Sequence, residues 1–173
     1  MIKNIFLTGA PSSGKTTVIK RVIEALSRPA RGFYTEEERV AGRRVGFLMR
    51  TLDGGEGYLA HERIQSPCAV RRYGVSLENI DSLAVPSIEP SGDIIIILDE
   101  IGMMECFSER FREAAIRTLE SENIVIGTIT LGGSDFIREI KKRDDITITE
   151  VTRENRDRLP EMILERIARL TNA

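Results

Sequence analysis

Gly9-Ala10-Pro11-Ser12-Ser13-Gly14-Lys15-Thr16 follows the apolar run Ile5-Phe6-Leu7 and precedes a stretch of helical periodicity. The spacing G-x-x-x-x-G-K-[ST] between a strand and a helix is that of a loop built to cradle phosphate. Its two glycines let the backbone curl without a Cβ clash, so that successive N–H groups converge on one anion. The helix that follows adds its own unpaired N–H groups and the positive end of its dipole. Lys15 is expected to bridge β- and γ-phosphates, and the Thr16 hydroxyl to ligate Mg²⁺. The Thr17 hydroxyl either reaches the α-phosphate or serves the start of the helix. Pro11 has no N–H and belongs where no phosphate needs a donor.

A second pair of residues completes the chemistry. Asp99-Glu100 ends the run Ile94-Ile95-Ile96-Ile97-Leu98. An aspartate at the end of a buried strand is the Walker B arrangement, holding Mg²⁺ from the side opposite Thr16. The plainer reading is an acidic strand end that caps the next turn. A carboxylate one step further on, Glu100, is suited to orient and polarise a water that attacks the γ-phosphate. Its alternative is a supporting or helix-capping role. A kinase, whose acceptor is another metabolite, has little use for such a group, whereas a hydrolase needs it. The chain has no N/T-K-x-D segment to read guanine and no arginine-rich lid insertion.

These residues require a series of strands and helices to hold them. Residues 2–8 read as a buried parallel strand, continuous in its hydrophobicity rather than alternating. Residues 15–27 carry Val18, Ile19, Val22, Ile23 and Leu26 at helical spacing, and Pro29 ends that helix. Residues 32–38 and 43–51 read as two strands of a hairpin turning at Val40-Ala41-Gly42, with a third short strand at 57–60. Residues 62–92 are less regular: Tyr73-Gly74-Val75 and Pro86 mark breaks, and a short helix is expected over 77–83. The Ile94–Leu98 strand follows, then a helix capped by Ser108 that runs to Glu122. Strands at 124–130 and 146–151 and a helix over 156–170 complete the series. By fold analogy the 124–130 strand lies between the loop strand and the Asp99 strand, with Thr128 or Thr130 facing the γ-phosphate. The fold class is α/β: a mostly parallel sheet flanked by helices, with a small antiparallel hairpin insertion. One domain over 1–173 is expected.

The 173 residues suffice for a core without staples, and a net charge of −2 gives no electrostatic case for nucleic acid or an anionic membrane as partner. No apolar run reaches membrane-spanning length, and no signal-peptide pattern is seen. Cys68 and Cys106 are too few for a metal cage or disulfide framework, so a cytoplasmic protein with reduced thiols is expected. A monomer is the default, since no single apolar stripe asks for a partner.

Several segments together resemble one family. They are Gly9–Thr17, Gly32-Phe33-Tyr34-Thr35-Glu36-Glu37 with Arg43-Arg44-Val45-Gly46-Phe47, Tyr73-Gly74-Val75, Asp99-Glu100-Ile101-Gly102-Met103-Met104-Glu105 and Asn155-Arg156-Asp157. Their order and spacing are similar to those of the small P-loop nucleoside-triphosphatases, called cancer-related nucleoside-triphosphatase in vertebrates and also found in thermophilic prokaryotes. The resemblance implies a RecA-like core and slow, Mg²⁺-dependent hydrolysis of several nucleoside triphosphates (ATP, GTP, CTP and UTP) to NDP and phosphate. Lys15 and Glu100 would be the catalytic residues, Gly9 through Thr17 the nucleotide-binding loop, and Thr16 and Asp99 the metal ligands. The family more often has glycine at the Ser12 position and lysine at the Met103 position.

Other residues have weaker claims. Asn155 and Arg156 are candidates for base or ribose contact, against capping of the last helix. Arg39, Arg43, Arg44 and Arg138 are candidates for neutralising transition-state charge, each against a solvated surface role. Glu105 is read as orienting the first turn of the next helix instead of touching substrate. His61 reads as a surface or strand-end residue. A nucleotide or metabolite kinase and a nucleotide-dependent switch remain as alternatives to hydrolysis.

Overall fold

The computed structural model describes residues 2–172. Among them runs one nine-stranded sheet, in the order β5-β6-β4-β3-β2-β7-β8-β1-β9. Its strands are β1 (Asn4–Thr8), β2 (Ala30–Val40), β3 (Arg43–Thr51), β4 (Glu56–His61), β5 (Ala69–Val70), β6 (Tyr73–Val75), β7 (Ile95–Ile101), β8 (Ile124–Ile129) and β9 (Ile146–Glu150). β2, β7, β8, β1 and β9 pair in parallel, and β3 through β6 extend the sheet antiparallel. As the sequence implied, β8 lies between the loop strand β1 and the Asp99 strand β7.

The continuous apolar runs follow from burial on both faces. Side chains alternate across a strand, so Ile5 and Leu7 of β1 and Ile95 and Ile97 of β7 point to one side. There they meet α1 (Lys15–Ala25) through Val18, Ile19 and Val22, and α6 (Leu159–Thr171) through Ile163 and Ile167. Phe6, Ile96 and Leu98 point to the other side, against Phe111 and Ala115 of α4 (Glu109–Glu120) and Ile137 and Ile140 of α5 (Asp135–Lys141). That face extends under the hairpin through Phe33, Met49 and Ile80, with Phe33 edge-on to Phe111 at 6.1 Å between ring centres.

Several boundaries differ from the sequence reading. The Tyr73-Gly74-Val75 segment is not a break: it is β6, because Ala60 and His61 of β4 offer it a partner edge. The helix near 77–83 is longer. It begins as α2 (Leu77–Asn79), capped by the Ser76 hydroxyl, passes through a π turn at Ile80–Ala84 and ends as α3 (Val85–Ile88). The last helix starts at Leu159 rather than 156, with Pro160 in its first turn where a missing N–H costs nothing. α5 has no counterpart in the sequence reading. His61 is the strand-end residue of β4, and it is not on the surface but 8% exposed, its ring 3.3 Å from a Glu38 carboxylate oxygen. No helix among the described residues is long and apolar enough to cross a membrane.

Candidate active site

The loop between β1 and α1 takes its form from two left-handed residues. Gly14, at φ 103°, caps α1 where any Cβ would be strained. Ser12 occupies the same region at φ 62°. For a residue other than glycine that conformation costs about 1–2 kcal/mol. The Ser13 hydroxyl oxygen is buried with no partner in the protein. A buried hydroxyl without a hydrogen bond is costly, and a phosphate oxygen in the loop would satisfy it. The Lys15 ammonium folds back to donate to the carbonyls of Gly9 at 2.9 Å and Ala10 at 3.1 Å.

Asp99 sits at the C-terminal end of β7, 1% exposed, directly under this loop. Its two carboxylate oxygens accept from Thr16 Oγ1 of α1, at 2.8 Å, and from Thr128 Oγ1 of β8. One carboxylate thus joins the helix after the loop to two central strands. Burial raises the Asp99 carboxyl above its ordinary range, against the two hydroxyls that favour its charged form. The expectation that Thr128 faces a phosphate gives way to this arrangement: Thr128 holds Asp99, and Thr130 is the β8-end threonine on the cleft wall.

Glu100 follows on the cleft wall. Burial, and then the negative Asp99 beside it, push its carboxyl up to about 7. A third acid, Glu105, is 2% exposed in the turn after β7. Burial and then Glu100 raise its carboxyl well above the usual value. Gly102 lies between the two: a Cβ there would be 2.7 Å from Glu100 Oε1 and 2.7 Å from Glu105 Oε2. Glu105 therefore backs Glu100 from beneath, beyond merely orienting the turn.

Three buried or half-buried carboxylates, with Lys15 as the nearby cation that lowers both Asp99 and Glu100, leave excess negative charge. A divalent cation fits that balance. Thr16 and Asp99 supply a hydroxyl and a carboxylate oxygen, and Mg²⁺ ordinarily takes only one or two protein ligands beside waters and phosphate oxygens. No group of three or more His, Cys, Asp or Glu side chains among the described residues forms a protein-only cage.

The cleft over this floor has a volume of about 690 Å³. Gly9, Pro11, Ser12, Gly14, Lys15, Thr16 and Thr17 line one wall, and Ala10 and Ser13 of the same loop do not. The opposite wall comes from the antiparallel extension, with Glu36, Glu37, Arg44 and Arg71. Of the four arginines singled out by sequence, only Arg44 is on the cleft, held by Glu37 at 2.7 Å and by the Tyr73 hydroxyl at 3.2 Å. Arg39 pairs with Glu37, Arg43 with Glu62, and Arg138 with Asp135. Arg71 was missed; only its place beside a second arginine and before Tyr73 marked it in the sequence. Asn155 is occupied by its own loop, accepting from Thr152 N–H and donating to the Glu150 carbonyl, both at 2.8 Å. Arg156 lies against the phosphate loop, its Cδ 3.6 Å from where a Gly14 Cβ would be. Neither lines the cleft. Burial pushes the Cys106 thiol up to about 12, which leaves it unreactive.

Comparison with known proteins agrees with this geometry. The profile of the NTPase family (NTPase_1) matches residues 4–164. The nucleoside-triphosphatase THEP1 of Thermotoga maritima is 43% identical over 162 residues, covering 92% of each chain. The human cancer-related nucleoside-triphosphatase is 38% identical over 177 residues, covering 92% of this chain and 93% of that one. The crystal structure of THEP1 from Aquifex aeolicus superposes with a TM-score of 0.85 at 34% identity, covering 94% of this chain and 97% of its own.

Proposed function

This chain belongs to the NTPase family of P-loop proteins, and from that premise we propose that it hydrolyses nucleoside 5′-triphosphates to NDP and phosphate. ATP, GTP, CTP and UTP are all substrates in this reading, with Mg²⁺ as cofactor and slow turnover. Gly9 through Thr17 bind the triphosphate, Lys15 spans the β- and γ-phosphates, and Thr16 with Asp99 hold the metal. Bound there, Mg²⁺ would neutralise charge on the phosphate oxygens. Glu100 orients the attacking water and accepts its proton, while backbone N–H groups of the loop favour the negative charge left on the NDP. The protein acts as a single-domain, cytoplasmic monomer over residues 1–173, without nucleic acid or membrane as partner.

The observation that carries the reading is the carboxylate beyond the metal-binding one. Glu100 faces the same cleft as Lys15 and Thr16, has Glu105 across Gly102, and makes no salt bridge among the described residues. A group poised near pH 7 is suited to take a proton from water. Phosphate release from the four triphosphates with Mg²⁺, wild type beside Glu100→Gln, is the test. Release that vanishes in the variant, with Mg·NTP binding retained, is expected. No release by the wild type despite tight binding would sink the hydrolase reading in favour of a kinase or a nucleotide-dependent switch.

A further inference from the structure

The β5–β6 turn carries two arginines that the fold uses differently. Arg72 is committed to structure: its guanidinium donates to the Arg44 carbonyl at 2.7 Å and the Tyr73 hydroxyl at 3.0 Å, and lies over the Tyr73 ring. Tyr73 in turn sits edge-on to Phe47 of β3 at 5.3 Å. The turn is thereby anchored without any help from its other arginine. Arg71 is exposed, at φ 55°, and its side chain is on the cleft wall. A left-handed conformation in a long-chain residue costs free energy and persists where the surroundings fix it, often at functional sites.

Every other cation on the cleft already has a partner. Lys20 pairs with Glu36 at 2.5 Å, Arg44 with Glu37, and Lys15 with two loop carbonyls. Among the described residues Arg71 alone of the cleft cations has neither an ion-pair partner nor a side-chain hydrogen bond. It shares the cavity with Lys15 although β4, β3, β2, β7 and β8 separate its hairpin from the loop strand. The fold thus places an unpaired guanidinium in the same cleft as the phosphate loop, on the wall from the antiparallel extension.

We propose that Arg71 is the residue that stabilises transition-state charge on the phosphates, supplied within the chain by the β5–β6 turn. The proposal rests on the hydrolase reading. In that reaction the water oxygen bonds to Pγ and a water proton passes to Glu100. The bond from Pγ to the β,γ-bridging oxygen breaks, with its electron pair left on the NDP. The Glu100 proton then leaves with solvent. Arg71 keeps its protons throughout and donates hydrogen bonds to the oxygens on which charge accumulates, which a planar five-donor fork does better than an ammonium.

The test compares wild type, Arg71→Ala, Arg71→Lys, Arg72→Ala and Glu100→Gln, reading kcat and KM for Mg·ATP and the binding of Mg·ADP with fluoroaluminate. Losing one preorganised donor lowers kcat by roughly 10²- to 10³-fold in comparable sites. Arg71→Ala is expected to lose about 100-fold in kcat with KM within about threefold, and to lose fluoroaluminate-dependent ADP binding. Arg71→Lys recovers part of the rate, and Arg72→Ala, which loosens the turn but keeps the Arg71 donor, loses less kcat than Arg71→Ala. If Arg71→Ala keeps kcat within threefold, or loses only through KM, while Glu100→Gln is inactive, this assignment fails and the hydrolase reading stands. A wild type silent toward every triphosphate overturns both.

Discussion

Adding one methyl group at Gly102 tests how Glu100 is held. The glycine follows β7, and a Cβ there would meet Glu100 Oε1 at 2.7 Å, Glu105 Oε2 at 2.7 Å and Glu100 Cγ at 3.0 Å. Ordinary contact begins near 3.4 Å, so the neighbours must withdraw by about 0.4–0.7 Å. Both carboxylates border the cleft, but Glu105 is 2% exposed and Glu100 only half-buried. Glu100 therefore has the more room to yield. A displacement on the order of 1 Å at a reacting group costs about 10²-fold in rate. Gly102→Ala is therefore expected to lower kcat by about 10- to 100-fold while leaving KM for Mg·NTP nearly unchanged. The overpacking itself costs about 1–3 kcal/mol, a fall in Tm of about 2–12 °C for a chain of this size. Steady-state phosphate release, nucleotide binding and thermal melts read these quantities separately. A variant with full kcat and native Tm would refute the reasoning, because Glu100 would then hold its working position without the space that glycine leaves.

Stability and pH supply two further tests. Asn123, 6% exposed, donates from Nδ2 to the carbonyls of Gly92 and Ile94 at 2.9 Å and of Ser91 at 3.2 Å. Asn123→Ala leaves these acceptors unpaired and should cost about 2 kcal/mol, roughly 4–8 °C in Tm. Because it lies at the end of β7 and β8 remote from Asp99, kcat should not change; thermal melts and phosphate release check both parts. The raised Glu100 carboxyl has the opposite effect on stability from a salt-bridged one. The folded state holds its proton up to about pH 7 and the unfolded chain only to about 4.5, so metal-free protein loses stability as pH rises through that window. Glu100→Gln removes this loss, and its advantage in urea unfolding should grow from pH 4.5 to pH 7 toward an upper bound of about 3 kcal/mol. An advantage independent of pH would show that Glu100 is not perturbed.

The phosphate loop, the Asp99 strand and the parallel core were legible because each rests on local pattern. Glycine and lysine at fixed offsets and uninterrupted aliphatic runs such as Ile94–Leu98 have meaning before any tertiary contact forms. β5 and β6 were not legible, since strands of two and three residues show no alternation and exist only because β4 offers an edge. α5 escaped for a related reason: seven residues with Ile137 and Ile140 inward give a weak helical signal, although Ser134 does cap it. The burial of His61 and the place of Glu105 beside Glu100 were not legible, because nothing in their neighbours along the chain announces either. Arg71 could be told from Arg72 only once the fold showed which of the two was already engaged.

β2 belongs to both halves of the molecule. Its residues Ala30–Phe33 pair in parallel with β7, and Phe33–Val40 pair antiparallel with β3. A single rod of 11 residues, about 35 Å long at the usual rise, thus joins the wall that carries Asp99 to the wall that carries the arginines. Walls joined in this way have no hinge between them. The gap across the cleft changes only by winding or unwinding the sheet, an elastic deformation spread over many hydrogen bonds. The spacing between the two walls is in this sense metered by the pitch of one strand, and lengthening or shortening the hairpin would retune that spacing without touching the phosphate loop.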